Sequence, residues 1–165
     1  MSITMYDASV PVFKRMLGNL DAILDKAKAY AEQRKIDPNA LLLARLAPDM
    51  FHLIKQVQIA SDMGKSTARL VGMDPPKFED NEKTFEDLKA RLAKTIAFLD
   101  TLKPEQFNGA ETRDVKLMLG GKEFAFKGLD FLLRFLTPNV YFHVSAAYMI
   151  LRHNGLDVGK RDFTG

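Results

Sequence analysis

The run VYFHVSAAYMIL, Val140–Leu151, is apolar on almost every helical face, which is the pattern of a helix surrounded by other helices. Thr137-Pro138 ahead of it is a cap followed by a residue whose missing N–H costs nothing in a first turn. Asn154-Gly155 behind it is a left-handed stop signal, with Leu156 placed to pack back on the helix. Such a helix needs neighbours, and the chain supplies them. From Val12 to Arg34 the residues Phe13, Met16, Leu17, Leu20, Ile23, Leu24, Ala27 and Ala31 recur at steps of three and four, the spacing of one helical face. Asp7 and Ser9 are candidate caps before this long first helix, and Pro11 suits its first turn.

Asp37-Pro38 opens a short helical segment through Leu46, and Pro48 opens a longer one from Asp49 to about Val71, so the second helix is expected to bend or break near Pro48. It carries two stripes. Met50, Leu53, Ile54 and Val57 lie on one side, while His52, Ile59, Met63, Ser66 and Leu70 lie nearly opposite. Gly72 to Lys83, with Asp74-Pro75-Pro76, is a linker in which no helix continues. Thr84-Phe85-Glu86-Asp87 resembles a capping box, and Phe85, Leu88, Leu92, Ile96, Leu99 and Leu102 form the inward face of a third helix that stops at Pro104. Between Arg113 and Lys127 two alternating segments flank Gly120-Gly121 and read as a β-hairpin, whose aromatic face must lie on the helices to be stable. Gly128 to Leu136 suits a short helix. The fold class is therefore mainly all-α, four long helices with a small inserted β-hairpin, taken as one domain over residues 1–165.

The composition excludes several functions. Among 165 residues, 47% are hydrophobic and 27% charged, which excludes a disordered chain. No apolar run approaches the roughly 18 residues of a membrane span, and the first residues carry no export signal, so a soluble, cytoplasmic protein is expected. Zero cysteines remove disulfides, thiolate metal sites and a cysteine nucleophile. The net charge of +3 is spread over separated pairs such as Lys14-Arg15, Arg34-Lys35 and Lys160-Arg161, so neither nucleic acid nor membrane is an expected partner. Gly64-Lys65-Ser66 imitates the end of a phosphate loop, but the first glycine of that motif is replaced by Ile59 within a helix. No Gly-x-Ser-x-Gly nucleophile elbow occurs.

Two histidines carry the chemistry that remains. His143 sits in the middle of the apolar helix, where an imidazole must find hydrogen-bond partners or a metal. Asn139 and Ala147 share its face. His52 lies on the second helix with Asp49 three residues before and Gln56 four after, which puts these polar groups on adjoining turns. The cores of helical bundles are where metals and cofactors are held by side chains of facing helices. His52, His143 and Asp49 are thus the candidate metal ligands, a two-histidine, one-carboxylate set, and Gln56, Asn139 and Tyr148 the candidate pocket residues. A satisfied core histidine and a tyrosine that merely bonds a neighbour are the competing readings.

Met5-Tyr6-Asp7-Ala8-Ser9-Val10-Pro11-Val12-Phe13 at the start, with Tyr141-Phe142-His143-Val144, Leu151-Arg152-His153-Asn154-Gly155 and Gly159-Lys160-Arg161-Asp162-Phe163 at the end, resemble the DUF1993 family of the DinB/YfiT-like superfamily. The resemblance runs over essentially the whole chain. It implies a DinB-like four-helix bundle, often dimeric. Members of the wider superfamily are similar to metal-binding proteins with one histidine on the second helix and two on the last, and some are thiol-dependent transferases or isomerases. His52 and His143 match the first two positions in kind, and the third falls at Ala147. The expectation is a pocket between the second and last helices for a small molecule or a divalent metal (zinc, nickel, iron or manganese). Were it an enzyme, the resemblance implies metal-assisted transfer or hydrolysis with bound water or a thiol as nucleophile. The alternative is a non-catalytic homodimer without metal, its interface formed by the second stripe of the second helix or by the hairpin.

Overall fold

A computed structural model describes residues 2–165. Helix α1 (Val10–Arg34) buries the expected stripe, including Phe13, Leu17, Leu20, Ile23 and Leu24. The turn before it is tied by Thr4, whose hydroxyl donates to Asp7 Oδ2 at 2.7 Å. Lys35 ends α1 in the left-handed conformation at φ 55°, letting Ile36 N–H reach the Ala31 carbonyl at 2.9 Å. Asp37 caps α2 (Pro38–Leu42), its side chain accepting from Asn39 N–H at 2.9 Å.

Two boundaries differ from the sequence reading. Helix α2 stops at Leu42, not Leu46, and α3 spans Leu53–Lys65 instead of starting at Asp49. The reason is His52, which is itself the N-cap: its Nδ1 accepts from Lys55 N–H at 3.3 Å. Asp49 therefore lies in the turn before α3, not on the helix. Beyond Lys65 the chain tightens into a 3₁₀ helix (Ser66–Val71). There the Ser66 hydroxyl donates to the Asp62 carbonyl and the Thr67 hydroxyl to the Gly64 carbonyl, each at 2.7 Å, in competition with the α pattern.

The segment from Gly72 to Lys83 runs back along α3, as Arg69–Asp74 and Lys55–Asp80 pairs show. Helix α4 (Phe85–Thr101) accordingly starts at the same end as α3 and runs parallel to it, opened by the expected Thr84–Asp87 capping box. Pairs of Lys28 with Glu86, Lys89 with Asp21 and Lys14 with Asp100 set α4 antiparallel to α1. Strands β1 (Asp114–Leu119) and β2 (Lys122–Lys127) form the hairpin, in register Leu117 to Phe124. Gly120 and Gly121 take φ of 56° and 80°, the positive values that a two-residue turn of this kind requires.

Phe126 of β2 packs on Phe131 and Phe135, ring centroids 5.8 and 5.7 Å apart, which anchors the hairpin on the bundle. After a single turn, α5 (Gly128–Asp130), the chain widens into a π-helix (Phe131–Leu136) and passes without a break into α6 (Thr137–His153). The Thr137 cap expected from sequence is thus a continuous helical residue. The wide turn falls just before Pro138, which has no N–H to offer the preceding turn. A Cβ at Gly128 would lie 1.8 Å from the Ala110 carbonyl oxygen, so only glycine fits there. Tyr30 on the last turns of α1 meets the Asn154 carbonyl at the end of α6, at 3.3 Å. Helices α1 and α6 therefore point the same way, opposite to α3 and α4. Helix α7 (Lys160–Thr164) folds back on α1 through Asn19 to the Phe163 carbonyl and Lys26 to Asp162.

Candidate site at the α3–α6 contact

Helix α6 is covered on one side only, with Val140, Val144, Ala147, Ile150 and Leu151 fully buried, whereas Tyr141, Phe142 and Met149 remain exposed, so it is not surrounded on every face as the sequence suggested. His143 is 8% exposed on the same face. Its Nδ1 lies 2.7 Å from Gln56 Oε1 on α3, while Gln56 Nε2 donates to the Phe51 carbonyl at 3.1 Å. A carbonyl can only accept, so the Phe51 contact fixes which end of the Gln56 amide faces the ring. The oxygen therefore meets His143, and Nδ1 must carry the proton. In the neutral imidazole this leaves the lone pair on Nε2. Burial alone lowers the His143 pKa from its ordinary value, which keeps the ring neutral. Nε2 has no partner within the described protein, and among the described residues no fully buried side-chain nitrogen or oxygen lacks one. The Nε2 atom therefore opens to the surface. Beside it stands Phe142, 56% exposed, edge-on to the imidazole at 5.1 Å.

His52 is engaged differently. Its Nδ1 lone pair is taken by Lys55 N–H, so the neutral ring carries its proton on Nε2. Burial, Arg45 and Lys55 together lower its pKa. Asp49 is exposed. Asn139 turns back to the Phe135 carbonyl at 2.7 Å, and the Tyr148 hydroxyl bonds the Val158 carbonyl at 3.4 Å with its ring against Phe163. Of the anticipated residues, the structure joins His143 and Gln56 and gives Asn139 and Tyr148 partners of their own. Among the described residues no three His, Asp, Glu or Cys side chains come close enough to hold an ion. The set of His52, His143 and Asp49 does not fit a bound metal, for His52 has committed its lone pair and Ala147 supplies no donor one turn beyond His143.

The sequence reading missed the most charged part of the interior. Arg91 on α4 is 2% exposed, and its guanidinium pairs with Asp62 at 2.7 Å, Asp80 at 3.1 Å and Glu82 at 2.9 Å. It also donates to Ser61 Oγ at 3.2 Å and to the Glu79 carbonyl at 3.1 Å. Lys65 reaches Asp62 at 2.9 Å and lies 4.2 Å over the Phe78 ring. Burial opposes the Arg91 charge, but Glu82 and Asp62 outweigh it and hold the pKa above its ordinary value. Burial likewise works against Asp80 and Glu82, yet Lys55 and Arg91 for the first, and Arg91 and Gln58 for the second, hold both carboxyls low. The signal was present: Arg91 falls three after Leu88 and four before Thr95, on the inward arc of its helix.

Two antiparallel pairs of helices, an inserted hairpin and a histidine presented between α3 and α6 define a helical bundle of the DinB type. The sequence profile of DUF1993, a domain of unknown function, matches residues 5–164, and the chain belongs to that family. The crystal structure of a DinB family member from Shewanella denitrificans is similar to it with a TM-score of 0.89 and 43% identity, over 98% of this chain and 92% of that one. Comparison with curated proteins gives no match. Among the described residues no helix is long and apolar enough to cross a membrane.

Proposed function

We propose that the protein binds a small molecule at the α3–α6 contact, with His143 Nε2 as the hydrogen-bond acceptor that orients it. The observation that supports this is the double constraint on Gln56, which sets the imidazole tautomer and leaves a neutral, outward-facing lone pair on a ring flanked by Phe142. A site of this kind is apolar with a few placed polar groups. It selects a ligand bearing an N–H or O–H next to an apolar body that lies against Phe142. The bundle here is a binding scaffold, with no reaction assigned to it.

The test is a nuclear magnetic resonance screen of the 15N-labelled full chain against small aromatic amides and phenols, with zinc, nickel, manganese and ferrous ions as separate samples. The reading predicts that donor-bearing fragments shift His143 Nε2 and the Gln56 side-chain amide, and that His143→Phe abolishes these shifts while the remaining spectrum stays folded. Stoichiometric shifts from a metal ion alone, or fragment shifts retained in His143→Phe, would overturn it.

A second reading, a homodimer, is favoured by a specific surface. On α6 Tyr141, Phe142 and Met149 are 37, 56 and 48% exposed, and Leu129 and Leu133 just before it are 45 and 56% exposed. Large apolar side chains grouped this way are unusual on a monomer. The stripe on α3 first expected to serve this purpose is instead mostly covered: Ile59 and Met63 are half-buried and Leu70 fully so.

A further inference from the structure

On the opposite side of α3 from His143, a cleft of about 500 Å³ opens between α2, the start of α3 and the returning linker. Its walls include Asn39, His52, Lys55, Asp80, Glu82 and Lys83, with Leu43 and Ile54 as apolar surface. Most of the charge on these walls is already matched. Lys55 pairs with Asp80 at 2.6 Å, Asp80 and Glu82 share Arg91, and Gln58 donates to Glu82 at 2.8 Å. With Asp62 and Lys65 included, three cations meet three carboxylates, and the cluster is electrically closed.

What remains is one-sided. Among the described residues the Lys83 ammonium forms no ion pair and the Asn39 amide makes no side-chain hydrogen bond. The His52 imidazole, its Nδ1 occupied by Lys55 N–H, presents Nε2–H. The Asp87 carboxylate feels the Lys83 charge but is itself taken up by the backbone N–H groups of Lys83 and Thr84 at 3.0 Å. Leu43, 56% exposed, adds apolar surface beside these donors.

We infer that this cleft is a binding site for a small carboxylate with an apolar chain, the carboxylate held by Lys83, Asn39 and His52 Nε2–H and the chain lying along Leu43 and Ile54. A charge-assisted pair and two neutral donors match the two oxygens of a carboxylate. The site is independent of the His143 lone pair, which accepts where this cleft donates.

The experiment is titration of the 15N-labelled full chain with hexanoate, hexanamide, hexylammonium and inorganic phosphate at constant ionic strength. Hexanoate is expected to shift the Asn39 side-chain amide and the His52 ring while leaving His143 in place, and to bind at least tenfold more tightly than hexanamide. In Lys83→Gln, an exposed position that forms no ion pair among the described residues, hexanoate affinity is expected to fall about tenfold, the scale of one hydrogen bond to a charged group. Equal affinity for hexanamide, unchanged binding in Lys83→Gln, shifts centred away from Asn39 and His52, or phosphate binding as tightly as hexanoate would each overturn the inference. The His143 signals report the other site separately, so either site can fail alone.

Discussion

A histidine buried on a helix has two nitrogens to satisfy, and His143 satisfies one of them through Gln56 while exposing the other. That division depends on a residue one helix away. Removing the amide in Gln56→Leu takes away the acceptor for Nδ1–H and leaves a buried donor unpaired, which costs about 1–3 kcal/mol. The expected result is a lower midpoint in urea with an unchanged slope, and loss of the preferred tautomer. A midpoint equal to that of the parent chain would show that the amide does not hold the ring. The sequence placed His143 and Gln56 on the correct two helices and made both candidates, because polar residues in apolar stripes are conspicuous. Their contact was not legible, since it depends on the rotation of α3 about its axis. The cap role of His52 was hidden for a related reason: histidine is not among the usual capping residues, so Pro48 gave the stronger start signal.

At the scale of elements, the segment from Gly72 to Lys83 is held by Arg91 and its carboxylates rather than by apolar packing alone. Arg91→Ala leaves Glu82 buried without its cation, while Asp62 and Asp80 are partly exposed and keep Lys65 and Lys55. The cost therefore falls at or below the lower end of the roughly 3–5 kcal/mol of a fully buried broken pair. Unfolding by urea should report that loss, and limited proteolysis should cut between residues 72 and 83 faster than in the parent protein. Unchanged stability and unchanged cleavage would mean that the linker is held by something else. The four long helices, the capping box of α4 and the hairpin with its Gly120-Gly121 turn were all readable from periodicity and local turn chemistry. The Arg91 network and the π-helix were not. The Arg91 network joins residues of separate elements, which no local pattern records, and the π-helix lies just ahead of Pro138, where the proline reads in sequence as a helix start.

For the whole molecule, acid should act in two stages. Burial holds the folded pKa of His143 below the ordinary value, with burial, Arg45 and Lys55 doing the same for His52. Their contribution is complete above the ordinary histidine value of about 6.5. It is lost as pH falls, because the unfolded chain takes up protons the folded one resists. The carboxyls of Asp80 and Glu82 are also low in the folded state, so a second loss follows below the ordinary carboxylate range of about 4. Urea midpoints from pH 8 to pH 3 should fall in these two windows, and His143→Gln should shrink the first alone. A single loss below pH 4 would contradict the buried neutral imidazole. If the apolar surface of α6 joins two copies, the melting temperature should rise with protein concentration and Phe142→Lys should remove that dependence. A concentration-independent melt with monomeric light scattering would exclude the dimer.

The central claim is that His143 stands in the folded protein as a neutral ring protonated on Nδ1, its Nε2 lone pair turned outward. Long-range proton–nitrogen correlation of the histidine rings at pH 7 tests it most directly. The account predicts a protonated Nδ1 and an unprotonated Nε2 for His143, with the opposite arrangement for His52. A His143 ring protonated on Nε2, or on both nitrogens, would contradict it.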